Sequence, residues 1–150
     1  MRPRLRVPLR TAAEVGLAHW FFGNLYEEVT GMPARIAEHP PAGGPFAPGS
    51  PVRYYLPAAP LTLAATFACV ATGWGRRRDR PALAAAGLLA TAGAAMTAHL
   101  VRAVNLPLLD GGEEDRAERQ RLVRHWHAVN RVRLLVVAGA AVALRAGTRR

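Results

Sequence analysis

Residues 56–101 read LPAAPLTLAATFACVATGW, then GRRRDR, then PALAAAGLLATAGAAMTAHLV. Two apolar runs, 56–74 and 81–101, carry no Asp, Glu, Lys or Arg and flank a turn holding Arg76, Arg77, Arg78, Asp79 and Arg80. About 20 apolar residues cross the hydrocarbon core of a bilayer as a helix. A helix is also the form in which a lipid-buried backbone satisfies its own hydrogen bonds. The stretch therefore predicts a membrane-spanning helical hairpin, and with it an all-α fold.

Working outward, composition agrees. The 150 residues are 51% hydrophobic and 20% charged, with the apolar residues gathered in blocks separated by Arg-rich connections, so one integral membrane domain over residues 1–150 is expected. The formal charge of +10 does not point to nucleic acid, because the Arg residues sit at the ends of apolar blocks without interleaved aromatics. Cys69 is the single cysteine, which excludes an intrachain disulfide and a thiolate metal cluster.

Upstream, Arg2, Arg4, Arg6 and Arg10 precede an apolar run, as in a signal peptide. That run continues through His19, Trp20, Asn24, Tyr26, Glu27 and Glu28 where a cleaved signal would end in small residues. A retained span over residues 11–32 is expected, ended by Gly31 and Pro33. At about 100° per residue, Leu17, Phe21, Phe22, Leu25 and Val29 share a side assigned to lipid. His19, Trp20, Gly23, Asn24, Tyr26, Glu27 and Thr30 share the side assigned to the bundle. Residues 33–55, rich in Pro and Gly, read as a long extracytoplasmic loop. Arg53, Tyr54 and Tyr55 close it, either as an interface anchor or as a lid over a polar site.

Downstream, Ala84, Gly87, Thr91, Ala95 and Ala98 form a small-residue stripe of the kind that lets helices approach in lipid. Arg102 and Asn105 extend the stripe and are expected to face neighbours. A Pro/Gly break is expected over 106–112, then a solvated helical lead-in over 113–121 with acids before Arg. The spans are thus 11–32, 56–75, 81–103 and 122–145, a four-helix transmembrane bundle. Eleven of the Arg residues lie in the N-terminal arm, the 75–80 turn and the C-terminal tail. The positive-inside rule then puts both termini in the cytoplasm, in what we expect to be a bacterial plasma membrane.

This topology brings Asn24, Glu27 and Glu28, then His99, Arg102 and Asn105, then His125, Asn130 and Arg133 into the outer half of the bundle. Charges inside a bilayer pair or serve a function, and Glu27 or Glu28 with Arg102 or Arg133 are the expected pairs. Trp126, Asn130 and Arg133 follow helical spacing and share a face. His125 and His127 diverge by about 200° on a helix, so no zinc site is expected. His19, His99 and His125 on separate helices leave a haem open as an alternative.

The segment Asn105-Leu106-Pro107-Leu108 after an Ala-rich span, then Asn130-Arg131-Val132-Arg133 in the last span, resembles the small four-helix membrane family that includes the anthrone oxygenases. The resemblance runs over residues 56–145. Val129 stands where the family often has Trp, and Leu109 where a second Asn is frequent. The resemblance implies oxidation of an anthrone-type methylene to a quinone by O2, a polyketide-tailoring step, with no cofactor and no metal. Under that reading His125 is the first-choice base, ahead of His99 and His19. Arg133, Asn130 and Asn105 would hold the developing oxyanion. Trp20, Tyr26 and Trp126 would sandwich a flat ring, with Asn24, Glu27, His99 and Arg102 completing the chamber. The partners expected are a hydrophobic small molecule and the lipid bilayer, with no nucleic acid, and a homo-oligomer stays open. The rival classes are a non-catalytic binding or assembly protein whose polar groups lock packing, and a haem-binding membrane protein.

Overall fold

The structure is a computed structural model that describes residues 6–39, 46, 50–55, 57–110 and 115–149. Its elements are α1 (Arg6–Thr30), α2 (Met32–Glu38), α3 (Pro51–Tyr55), α4 (Ala58–Gly73), α5 (Arg80–Leu100), a π turn (Val101–Asn105), α6 (Leu106–Asp110) and α7 (Arg116–Thr148). All regular structure among the described residues is helical. Three helical stretches are long and apolar enough to cross a membrane: Val52–Gly73, Arg80–Leu109 and Arg116–Thr148. The chain accordingly reads as an integral membrane protein. α1 is not among the three, since Arg10, Glu14, Glu27 and Glu28 interrupt it. Yet Val15, Phe22 and Val29, seven residues apart, form an exposed apolar stripe along it.

α1, α4, α5 and α7 pack on one another, with α5 and α7 the closest partners. Their shared core holds Ala13, Leu17, Trp20, Cys69, Leu83, Ala86, Ala90, Val137, Ala140 and Leu144. A second cluster of Ala37, Leu100, Val104, Leu108 and Trp126 seats α2 and α6 against α7. Threonines inside the helices return their hydroxyls to the preceding turn. Thr62 donates to the Ala58 carbonyl, Thr66 to Thr62 and Thr97 to Gly93, each at 2.8–2.9 Å. That bond leaves no hydroxyl seeking water inside lipid.

Several sequence expectations need correction. Leu17, assigned to lipid, is buried, and Tyr26, assigned to the bundle, is 60% exposed. The α1 stripe is therefore rotated toward its small and aromatic residues, with Gly16 set against Thr62 of α4 and Trp20 against Gly93 of α5. In α5 the buried row is Leu83, Ala86, Ala90, Gly93 and Leu100, continued by Val104 in the π turn. The row through Ala84, Gly87, Thr91, Ala95 and Ala98 lies beside it, with the last three exposed. Between Leu83 and Leu100 both rows are small residues, so composition offered little contrast there to set the phase. One consequence is that Arg102 is exposed and Asn105 only half-buried.

The expected break at 106–112 is instead a continued helix through Asp110. Pro107 has no N–H and its ring crowds the carbonyl four residues back. The π turn just before it absorbs the misfit, with the Leu106 N–H donating to the Val101 carbonyl five residues back. The loop expected over 33–55 contains α2 and α3. Gly31 separates α1 from α2 at φ 63°, where L side chains are strained, and Pro33 opens α2 at a position whose N–H would be unpaired anyway. Residues 40–45 and 47–49 of that loop, 111–112 of the expected break and 113–114 of the lead-in lie outside the described residues. From Arg116 the lead-in is continuous with the last span. α7, at 33 residues, is about 50 Å long and overshoots a hydrocarbon core of about 30 Å.

The α1–α4 contact yields a direct test. A Cβ on Gly16 would collide with the Thr62 hydroxyl and methyl. Gly16→Val should destabilise the protein by about 1–3 kcal/mol through overpacking, read as a lowered unfolding midpoint in detergent, whereas Gly87→Ala, whose Cβ meets only ordinary contacts, should leave it unchanged.

Candidate functional site

The polar residues of α1 and α7 meet where the C-terminal half of α1 runs beside the N-terminal half of α7. The adjacent acids Glu27 and Glu28 face different surroundings there. Glu28 is fully engaged. Its Oε2 accepts from Asn130 Nδ2 at 2.9 Å and its Oε1 from Arg131 Nε at 2.8 Å. His127 Nδ1 lies 3.0 Å from Oε2 without the alignment of a hydrogen bond. Asn130, fully buried, also donates to the Asn24 carbonyl at 3.3 Å, and Asn24 donates to the Trp20 carbonyl at 2.6 Å. This cluster ties α1 to α7.

Arg133 continues the network. Its side chain is buried, and its Nη2 and Nε donate to Asn130 Oδ1 at 2.6 and 3.2 Å. Nη1 donates to Thr97 Oγ1 at 3.3 Å, and the guanidinium lies 5.8 Å from the Trp126 ring centre. All three contacts are to neutral oxygens, so its charge is balanced at longer range by the Glu27 and Glu28 carboxylates.

Glu27 differs in every respect. It is 8% exposed, accepts no hydrogen bond among the described residues, and interacts electrostatically with Arg133. Its carboxylate borders a cavity of about 860 Å³ lined by His19, Phe22, Gly23, Tyr26, Met32, Ser50, Arg53, Tyr54 and Tyr55. Three rings are clustered in that wall: His19 lies 5.4 Å from Tyr54 and 6.0 Å from Tyr55, and the two tyrosines 4.9 Å apart edge to face. Gly23 is required by this arrangement, since any Cβ there would strike the Tyr55 hydroxyl. On its other side Glu27 borders a narrow crevice with Asn105, Leu108, Leu109 and Trp126.

The residues singled out from sequence thus divide. Asn24, Glu27, Asn130, Arg133 and Trp126 are brought together and buried, and Asn105 joins them at the crevice. Tyr26 stands at the cavity mouth. Trp20 is core, packed on Gly93. His99, Arg102 and His125 lie on the exposed surface, outside the lining of the cavity, and His99 Nε2 is 2.9 Å from His125 Nε2. Two axial ligands of one iron would stand roughly 4 Å apart, at twice an ordinary metal–nitrogen bond. His19 meanwhile sits with the tyrosines, so the three histidines do not converge. The expected pairing of Glu27 or Glu28 with Arg102 or Arg133 becomes Glu28 with Arg131 and His127, and Glu27 with Arg133 at a distance. Arg53, Tyr54 and Tyr55 line the cavity beside Glu27. Thr97 carried no sequence signal, and Gly23 only its place on the bundle side of α1, because their roles arise from what stands opposite them.

The two acids should separate experimentally. Glu28→Ala strands the Asn130 amide and His127, and should cost about 1–3 kcal/mol, the range for a lost buried hydrogen bond to a charged group. A drop in thermal midpoint measures it.

A family model described as anthrone oxygenase matches residues 51–143, well over half of the chain. No curated protein and no solved structure gave a match.

Proposed function

Since the chain belongs to the anthrone oxygenase family, we propose that it oxidises a hydrophobic hydroxyaromatic of the anthrone type with O2, in the cavity between α1 and α3. The observation that carries this reading is Glu27: a buried carboxylate without a hydrogen-bond donor, bordering a cavity walled by aromatic rings. A bilayer-embedded acid in that state has a functional role by default, and the cavity volume suits a flat, drug-sized polycycle. We place the site in the outer leaflet of a four-span bundle with cytoplasmic termini.

The chemistry requires a base and a dry pocket. Glu27 removes one proton from the methylene flanked by two rings, and the resulting anion delocalises onto the carbonyl oxygen. The anion passes one electron to O2, giving an organic radical and superoxide, whose coupling forms the new C–O bond. The hydroperoxide takes up the proton, the second methylene C–H proton leaves, and the O–O bond breaks to release water and the quinone. One oxygen atom ends in the product and the other in water, with both methylene hydrogens. The Tyr55 hydroxyl and the His19 ring line the cavity as donors for the oxyanion, each worth on the order of 3 kcal/mol when well placed. Arg133 acts from behind Glu27 as the compensating charge. His125, the base favoured from sequence, is set aside here because it lies outside the cavity.

The Glu28 cluster favours a second role for its own residues, as a packing lock, which is what a non-catalytic protein would need throughout. Detergent-purified protein supplied with a hydroxyanthrone in air should form quinone faster than protein-free micelles and consume O2 in equal molar amount. Tight binding of the anthrone with no rate above the spontaneous one would leave a binding protein and end the oxygenase reading.

A further inference from the structure

Two charged side chains of opposite sign line the cavity, and they stand at different depths. Glu27 is buried, and its electrostatic partner is Arg133, behind the wall. Arg53, in α3, is exposed at the cavity's edge, and among the described residues its guanidinium has no hydrogen bond, ion pair or ring contact. Its chain neighbours Tyr54 and Tyr55 cluster with His19, so a free cation adjoins the aromatic wall. We propose that Arg53 anchors a carboxylate on the ligand, so that the cavity takes a polycyclic aromatic acid in preference to a neutral ring system. This rests on the cavity being the site of the proposed oxidation and names the substrate class it takes.

Charge, geometry and depth each favour this ligand. A guanidinium keeps its charge at any physiological pH and holds five N–H donors in a planar fork, which meets the two oxygens of a carboxylate in parallel hydrogen bonds. A ring hydroxyl offers that fork one oxygen and no charge, and an amine would be repelled. Carrying an anion into hydrocarbon is costly. The exposed position of Arg53 lets the carboxylate stay at the wet edge while the rings lie against Tyr54, Tyr55 and His19, toward the buried Glu27. A flat polycycle could adopt several poses in about 860 Å³. Holding the acid at one end selects the pose that presents the methylene to Glu27, as an Arg clamp does for a reacting group. Arg53 thus sets specificity from the end of the ligand away from the reacting carbon.

The test is equilibrium binding of anthraquinone-2-carboxylate and its neutral carboxamide to the full-length protein in phosphatidylcholine nanodiscs, with empty discs as the blank. The wild type should bind the carboxylate about tenfold or more tighter, the ratio expected of hydrogen bonds to a charged group. Arg53→Gln should abolish that preference by weakening the carboxylate. Arg53→Lys should restore part of it, since an ammonium keeps the charge without the fork. Arg102→Gln, which removes an exposed cation outside the cavity lining, should keep the preference whole. Equal affinity of the wild type for the two compounds, as expected if Arg53 instead holds a lipid phosphate, would overturn the proposal. So would a carboxylate preference that survives Arg53→Gln. Binding involves no turnover, so the two readings fail separately. A preference lost with Arg53, in a protein that forms no quinone, keeps the anchor and removes the oxidation; quinone formation without any preference does the reverse.

Discussion

Replacing Glu27 with Gln is expected to slow quinone formation by about 10²–10⁴-fold, the span that a positioned general base contributes, while the protein stays folded. Gln has the same shape and removes only the charge and the proton-accepting oxygen. Because Glu27 accepts no hydrogen bond among the described residues, the exchange strands no donor. It does remove the negative charge that faces the buried Arg133 guanidinium. The expected signature is therefore a collapsed rate of O2 uptake with a lowering of the unfolding midpoint smaller than that of Arg133→Ala, since Arg133 keeps its bonds to Asn130 and Thr97. His125→Ala makes the contrast. Its ring is exposed and paired with His99, so quinone formation should remain close to that of the wild type. The opposite result, activity lost with His125 and kept without the Glu27 carboxylate, would return the base to the surface pair and empty the cavity of its assigned role.

The second large effect is on stability. Arg133→Ala should destabilise by about 3–5 kcal/mol, as breaking a buried ionic network by removing one partner does. The side chain is 4% exposed and makes three donor contacts, two of them to the single Asn130 Oδ1. Truncation leaves that oxygen without its donor, leaves Glu27 without the nearby cation, and opens a void beside Trp126. Arg133→Lys would restore the charge but not the two-pronged contact to Asn130, since an ammonium is a point donor where the guanidinium is a planar fork. It should recover less than half of the loss in a thermal denaturation series. Recovery of full stability by Lys would show that charge alone matters there and that the Asn130 contact is incidental.

Much of the helical plan was legible because lipid imposes strong rules. The uncharged runs at 56–74 and 81–101 had one economical reading, and the helices Ala58–Gly73 and Arg80–Leu100 cover them. Helix phase was harder to read. In α5 the rows Ala86, Ala90, Gly93 and Ala84, Gly87, Thr91 are equally small, and only the partners Trp20 and Val137, which close on Gly93, decide between them. Arg102 was misjudged for that reason. Pro107 signals a break in water-exposed chain, but the π turn at Val101–Asn105 carries the helix past it.

The site shows the same division. Asn130, Arg133 and Trp126 share a face by spacing alone, and they are buried together. That Glu28 would be saturated and Glu27 left bare could not be read from two identical neighbours in sequence. The difference is about 100° of helix rotation, which turns one carboxylate to α7 and the other to the cavity. Tyr54 and Tyr55 lie beyond a Pro/Gly-rich stretch, so their return to His19 and Gly23 rests on tertiary contact that no local pattern encodes.

The most direct test of the cavity as the substrate site is photochemical. An anthraquinone product analogue, irradiated with the purified protein and mapped by peptide mass spectrometry, should label residues 19–32 and 50–55, and an excess of unreactive analogue should suppress that labelling. Labelling confined to the exposed face around His99 and His125, with the cavity residues untouched, would contradict the account.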